Sequence, residues 1–349
     1  MAVPVVTPPS RDEYIQQLTP YNTFVKTLEN KGSPAEFQTV DISDLKNVGS
    51  LPGKTGAKIV TKRSSALPHS PRFVFKGMDF EQYKKDSKDF KEHQEKTLLR
   101  EVRTLYTLPP HPNIMPSPQA LVVIRDQDEK DRICGFLQPD MEKGSVDEQV
   151  IRANKQGRRL PLQLKAKWCY QMASAVQHTH QAAKSYHMDL KPGNILVDDE
   201  DNLRLIDWEQ SGVSMFTHPP EVTIDQEAEE SSIGSCNGKQ RIIYTPHSGA
   251  PRKNQKWGFP DWNVFPEWKR TCPRAAELAE VFSLGRTMWM LLEQVEQSAD
   301  VTVWTTVAND VSEEWKEMVM RCIERDPNDR PDLDEVVAFW EKQWRSSHQ

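Results

Sequence analysis

The sequence predicts an α+β protein in which a small β-rich part precedes a larger, mainly helical part. Between residue 41 and about residue 75, short apolar runs alternate with Gly and Pro, which is typical of strands separated by turns. Residues 98–106 return to apolar positions three and four apart, the spacing of a helix. After about residue 139 the helical spacing dominates, and residues 278–291 are apolar on nearly every side, which indicates a buried helix.

Each part is then assigned in chain order. Residues 1–40 are rich in Pro and Thr and are interpreted as a partly disordered extension whose one plausible helix lies near Tyr14–Leu28. The small domain is placed at 41–138 and includes a hairpin built from the apolar runs that begin at Leu121 and Ile133. The helical domain is placed at 139–345. Within it, residues 213–262 combine acidic, Ser/Gly and basic runs and are predicted to form a long surface loop.

Composition excludes several classes of function. The chain has 45 Lys and Arg against 51 Asp and Glu, a net charge of −6, which argues against a nucleic-acid partner. No apolar run approaches the roughly 18 residues of a membrane span, and neither a secretory nor a lipidation signal is recognised. Five widely spaced Cys fit a reducing compartment. We therefore expect an intracellular protein, cytoplasmic or nuclear, without a membrane partner and monomeric.

One group of polar residues carries the chemistry. Asp189, Lys191 and Asn194 lie on a turn ahead of a short apolar strand, and Asp207 follows a second strand after an acidic turn. A hairpin of this kind would bring Asp189, Asn194 and Asp207 to one end. Two carboxylates and an amide oxygen are hard ligands that suit Mg²⁺, and Lys191 adds a cation. Phosphoryl transfer needs such a set: a metal to neutralise phosphate charge and a carboxylate to accept a hydroxyl proton.

The run His187-Met-Asp-Leu-Lys-Pro-Gly-Asn194 resembles the catalytic loop of the protein kinase family, with Met188 in place of its arginine. The resemblance implies a two-lobed fold with ATP and Mg²⁺ as cofactors. It makes Asp189 the catalytic base, Lys191 the contact to the transferred phosphate, and Asn194 and Asp207 the metal ligands. A lysine at position 191 is typical of family members that phosphorylate serine and threonine in proteins.

The resemblance also covers the small domain. Phe73-Val-Phe-Lys76 is similar to the strand whose lysine binds the nucleotide phosphates, and Leu99–Leu108 followed by His111-Pro-Asn-Ile is similar to the regulatory helix and its exit. Glu101 is the predicted partner of Lys76, and Glu95 is the alternative. The remaining predicted nucleotide contacts are Gly53 and Gly56 of a degenerate glycine-rich loop, and the backbone from Leu137 to Met141.

In the helical domain, Phe265-Pro-Glu267 resembles the end of the family's activation segment, which would then span 207–267. Asp326-Pro-Asn-Asp-Arg330-Pro resembles a later family motif, and the resemblance implies a buried Glu267–Arg330 ion pair. The runs around His187, Asp207 and Glu267 are similar to those of a group of fungal kinase-like proteins.

Three functions stay open at this point. The first is an active serine/threonine protein kinase. The second is a pseudokinase that binds or scaffolds, favoured by the missing glycines and by Glu209 in place of the glycine that follows the metal ligand. The third is a small-molecule kinase, which shares the loop chemistry but not the motifs at 265–267, 280–285 and 326–331.

Overall fold

The computed structural model describes residues 9–29, 37–51, 57–63, 71–78, 80–85, 88–210, 213–214, 216–222, 265, 269–270, 273–296 and 302–346. They divide into a small unit (1–108 and 116–140) and a large unit (109–115 and 141–349). The sequence places its boundary at 138/139 and includes residues 109–115 in the small domain, whereas this division assigns them to the large unit. None of the helices in the described ranges is long and apolar enough to cross a membrane.

The small unit is built on a six-stranded sheet with the order β1-β5-β6-β4-β3-β2. The β1–β5 pair is parallel, and the other pairs are antiparallel. The most buried strands are β5 and β6, and each has a neighbouring strand on both edges. The strands are β1 Thr39–Asp41, β2 Leu45–Ser50, β3 Ala57–Lys62, β4 Phe73–Gly77, β5 Ala120–Arg125 and β6 Asp131–Pro139.

In the described part of the small unit, four α-helices accompany this sheet. The longest, α4, carries charged residues over its first half and buries Leu98, Val102 and Leu105 in its second half. That spacing of three and four residues is the one predicted from the sequence. The helices are α1 Arg11–Gln17, α2 Tyr21–Glu29, α3 Phe80–Tyr83 and α4 Lys88–Thr107.

The N-terminal region differs from the sequence interpretation. Residues 9–29 form two helices that belong to the small unit, and Tyr14 and Leu18 are part of its hydrophobic core. Ser10 begins α1 with a capping box to Glu13, an arrangement that satisfies two backbone N–H groups at a helix start. The predicted helix near Tyr14–Leu28 is thus split at Leu18–Pro20, where proline interrupts the helical hydrogen bonds.

The large unit is helical around one small hairpin, formed by β7 Ile195–Val197 and β8 Leu203–Leu205. Its central helix, α7, is buried along nearly its whole length, as its apolar sequence predicts. This helix, α7, spans Pro273–Glu293 and packs against α5 Val146–Lys155, α6 Leu162–Gln181 and α8 Glu313–Cys322, while α9 Leu333–Ser346 packs against α6.

Candidate active site

In the small unit, the lysine and glutamate paired by sequence form an ion pair. Lys76 lies near the end of β4, and its Nζ is 2.6 Å from Oε2 of Glu101 on α4. The Glu101 side chain is 1% exposed, whereas that of Lys76 is 27% exposed. The ammonium therefore keeps a face toward solvent. The alternative partner, Glu95, instead accepts a hydrogen bond of 2.6 Å from the Thr19 hydroxyl.

The other predicted nucleotide contacts are less well defined. Gly53 and Gly56 lie outside the described residues. Leu137 is buried within β6, and its carbonyl oxygen accepts a hydrogen bond from the Gln119 amide. Met141 begins the large unit, and its carbonyl accepts from the Gly144 amide in a turn. The adenine contacts at Leu137–Met141 stay a prediction.

In the large unit, the residues of the catalytic-loop pattern are held together by short hydrogen bonds. Lys191 Nζ donates to Asp189 Oδ2 at 2.6 Å, and Asn194 Nδ2 donates to the same oxygen at 2.8 Å. The pairing of β7 with β8 places Asn194 beside the end of β8, where the Ile206 amide donates to the Asn194 carbonyl. The hairpin thus brings Asp207 to the loop that holds Asp189 and Asn194, as the sequence predicts.

Two oxygens of this loop are left for other ligands. Asp189 Oδ1 and Asn194 Oδ1 are buried and have no hydrogen-bond partner in the described part of the chain. A buried polar atom without a partner is costly, so such oxygens are suited to a ligand. The amide oxygen of Asn194 and the carboxylate of Asp207 are hard donors of the kind that Mg²⁺ prefers. The residues present therefore fit the expected metal.

The charges of the loop shift each other's proton affinity. Burial raises the pKa of the Asp189 carboxyl above its ordinary value; Lys191 opposes this rise and Asp207 adds to it. Burial works against the charged form of Lys191, but Asp189, Asp207 and Glu209 outweigh it and raise the pKa of that ammonium. The loop therefore combines a carboxylate that binds a proton more readily than usual with a permanent cation.

The catalytic loop is held in place by Glu280 of α7, which is fully buried. Its Oε1 accepts from the backbone N–H groups of His187, at 2.6 Å, and Met188. Its Oε2 lies 2.6 Å from Nε2 of His180 on α6. Burial alone would raise the pKa of Glu280, but the nearby histidines and the Met188 N–H lower it. His180 and Glu280 are 100 residues apart in the chain, so nothing local in the sequence pairs them.

His187 has a structural role. Its ring is fully buried, Nε2 donates to the Ile206 carbonyl at 2.7 Å, and Nδ1 accepts from the Asp189 amide at 3.2 Å. The indole of Trp208 lies against it edge-on, with ring centroids 4.7 Å apart. The imidazole thus links the catalytic loop to the residue before Asp207.

The missing glycine after Asp207-Trp208 is compensated one residue later. Positive φ angles occur at Asp207 (71°) and Gln210 (50°), and not at Glu209. The left-handed conformation at Gln210 is one that L side chains rarely adopt. Its side-chain amide donates to the Tyr186 carbonyl at 2.6 Å. Gln210 thereby ties the start of the activation segment to the chain just before the catalytic loop.

The buried arginine motif has a different partner from the one expected. The guanidinium of Arg330 donates to both carboxylate oxygens of Glu221, at 2.6 and 3.0 Å. Its remaining hydrogen bonds go to the carbonyl oxygens of Leu278, Glu324 and Arg325. The expected partner, Glu267, lies outside the described residues. Because Glu221 and the three carbonyls together use all five N–H groups of Arg330, the Glu267–Arg330 pair is corrected to Glu221–Arg330.

The curled sheet with its Lys76–Glu101 pair, and the helical unit with its Asp189–Asn194 loop, define a protein kinase fold. The protein kinase domain model matches residues 72–225 of the chain. The chain is also 25% identical over 236 residues to CBL-interacting serine/threonine-protein kinase 16 of Arabidopsis thaliana, covering 65% of this chain and 43% of that protein. The chain is thus similar to protein kinases over residues 72–225, which is less than half of its 349 residues, and the predicted two-lobed α+β fold is confirmed. It spans less than half the length of that curated relative.

Proposed function

We propose that the chain is an ATP-dependent serine/threonine protein kinase. The observation that carries this proposal is the catalytic loop, in which Asp189 and Asn194 each keep one buried, unbonded oxygen while Lys191 fixes the second oxygen of Asp189. A loop that served only as a turn would use these polar atoms internally. Here the free oxygens match a substrate hydroxyl at Asp189 and a metal at Asn194.

Each residue then has a role in the transfer. Lys76, oriented by Glu101, binds the nucleotide phosphates. Asn194 and Asp207 would hold Mg²⁺, which neutralises phosphate charge when bound. Asp189 accepts the proton of the substrate hydroxyl, and its raised pKa favours this acceptance. Lys191 contacts the transferred phosphate and keeps its positive charge throughout.

The test is transfer from [γ-³²P]ATP with Mg²⁺ to generic acidic and basic proteins, followed by phosphoamino-acid analysis. We expect label on serine or threonine and a loss of about 10²- to 10⁴-fold in Asp189→Asn, the usual contribution of a general base. Asp199→Asn is the matched control, because Asp199 is exposed on the turn between β7 and β8 and should leave transfer unchanged. Label that persists undiminished in Asp189→Asn would contradict the proposal.

A binding module without catalysis is the second candidate, favoured by Met188 and Glu209, which replace the arginine and glycine of the family pattern. Two outcomes of the same assay would support it: absence of transfer with a retained Mg·ATP thermal shift, or absence of both. Transfer to small molecules in a metabolite panel, with none to proteins, would instead favour the third candidate.

A further inference from the structure

The N-terminal helices contact the end of the strand that carries Lys76. Tyr14 of α1 is 1% exposed, and its hydroxyl donates to the carbonyl of Met78 at 2.5 Å. Met78 is two residues beyond Lys76. The Tyr14 ring also packs against Tyr83, with centroids 5.1 Å apart, and the Tyr83 hydroxyl donates to Gln17 Oε1. The position of the end of β4 is thus fixed by α1.

The same segment contacts α4 on both sides of Glu101. The Thr19 hydroxyl donates to Glu95 Oε1 at 2.6 Å. Arg103 donates to the Thr27 hydroxyl at 3.4 Å, and its guanidinium lies 5.9 Å from the Phe24 ring centroid. At 1.5 Å per residue, Glu95 precedes Glu101 by about 9 Å and Arg103 follows it by about 3 Å along the helix axis.

The segment is itself fixed to the sheet. Arg132 of β6 donates to the Leu18 carbonyl at 2.8 Å, and the Ile133 amide donates to the Thr19 carbonyl at 3.0 Å. The first half of α4 is rich in charged residues. Among the residues of α4 whose burial the structure describes, the buried apolar side chains begin at Leu98. The hydrogen bond from Thr19 to Glu95 therefore adds a polar contact to the half of α4 that precedes those side chains.

We propose that residues 10–29 are an internal brace that holds Glu101 at ion-pair distance from Lys76. The brace contacts β6, the end of β4 and α4 on both sides of Glu101. It therefore holds Lys76 and Glu101 in position relative to the same sheet. Its effect on nucleotide affinity rests on the proposed function. The Lys76–Glu101 distance itself does not, which allows the two to be tested separately.

The test uses Thr19→Val, which removes the hydroxyl bonded to Glu95 while keeping the shape of the side chain. The readout is the rate at which Lys76 is acetylated by N-hydroxysuccinimidyl acetate, measured by mass spectrometry with exposed Lys130 as the internal reference. An ammonium held against a carboxylate reacts slowly, so we expect faster labelling of Lys76, up to about tenfold for the loss of one hydrogen bond to a charged group. Thr61→Val on β3 is the matched control and should label like the wild type.

Glu95→Ala removes the same bond from the other side and serves if Thr19→Val fails to fold. In a folded variant, an unchanged Lys76 rate would overturn the proposal and leave residues 10–29 with a purely stabilising role. Nucleotide affinity is measured in parallel and should weaken in step with the labelling. If the wild type binds no ATP, the proposed function fails, while the labelling result still decides whether the brace exists.

Discussion

Two ion pairs of similar chemistry lie in different surroundings in the two units. In the small unit, Lys76 meets the buried Glu101 but remains 27% exposed. In the large unit, the Arg330 side chain is fully buried and meets Glu221, which is 8% exposed. The Arg330 guanidinium uses its donors on one carboxylate and three backbone carbonyls.

The difference separates the Arg330 pair, which stabilises the fold, from the Lys76 pair, whose lysine is proposed to bind a ligand. A guanidinium enclosed by acceptors has no capacity left for a ligand, and its removal leaves those acceptors buried without a donor. The Lys76 side chain, by contrast, is still 27% exposed beside its carboxylate partner, so an anion can reach it. Loss of the Arg330 pair should therefore reduce stability first, whereas loss of the Lys76 pair should reduce nucleotide binding first.

The largest effect is expected for Arg330→Met and Glu221→Gln. Breaking a buried pair by removing one partner costs on the order of 3–5 kcal/mol, so each variant should lower the free energy of unfolding by about that amount in urea titrations. Glu267→Gln is the control and should unfold like the wild type. If Glu267→Gln were the destabilising variant, the correction of the arginine's partner would be wrong.

This pair also shows where sequence reasoning ends. Pro219-Pro-Glu221 and Phe265-Pro-Glu267 are both a proline followed by glutamate, 46 residues apart by number, and either could meet Arg330. Local sequence does not distinguish them, because the choice depends on which segment packs beneath α7. By contrast, Lys76 and Glu101 lie in stretches that both resemble motifs of the kinase family, so the resemblance predicted their pairing, with Glu95 as the alternative.

The second prediction concerns Lys76→Met, which should reduce kcat/KM for ATP by about 10²-fold through lost positioning of the phosphates. The single variant also leaves Glu101 buried without its cation. The double variant Lys76→Met with Glu101→Leu replaces both charges by apolar side chains, a change that is often close to neutral for stability. We expect the double variant to regain the thermal stability of the wild type but not its ATP affinity. Recovery of both would remove the distinction between the two pairs.

The third prediction concerns the anchor beneath the catalytic loop. Glu280→Gln removes the charge that accepts the His187 and Met188 amides and faces His180. Hydrogen bonds to charged groups contribute about 1.5–3 kcal/mol, so urea unfolding should show a loss in that range, with a lower kcat and a nearly unchanged KM for ATP. Glu277→Gln, one turn earlier on α7, is the control. Equal losses in the two variants would mean that α7 and not the loop anchor is affected.

The site residues that lie close together in the sequence were the most predictable ones. Asp189, Lys191 and Asn194 lie within six residues, and the hairpin that follows brings Asp207 to them by local pairing. The partners supplied from a distance were not predictable: His180 beneath the loop, Gln210 in place of the missing glycine turn, and the packing of Tyr14 and Leu18 into the small unit. Each depends on contacts between residues far apart in the chain, and the local sequence around these residues carries no signal for such contacts.

The smallest expected effect is the pH dependence of phosphoryl transfer and of stability that the Asp189 carboxyl causes. Because burial raises its pKa, Asp189 ionises at higher pH than an ordinary aspartate, and phosphoryl transfer should be lost on acidification at a correspondingly higher pH. The folded state binds this proton more tightly than the unfolded chain, so the carboxyl's contribution to stability is present below the unfolded pKa and is lost as pH rises through the folded pKa. Asp189→Asn should therefore unfold at a higher temperature than the wild type at neutral pH, with the difference vanishing at low pH. A variant less stable than the wild type at neutral pH would show that the hydrogen bonds from Lys191 and Asn194 outweigh the burial of the charge.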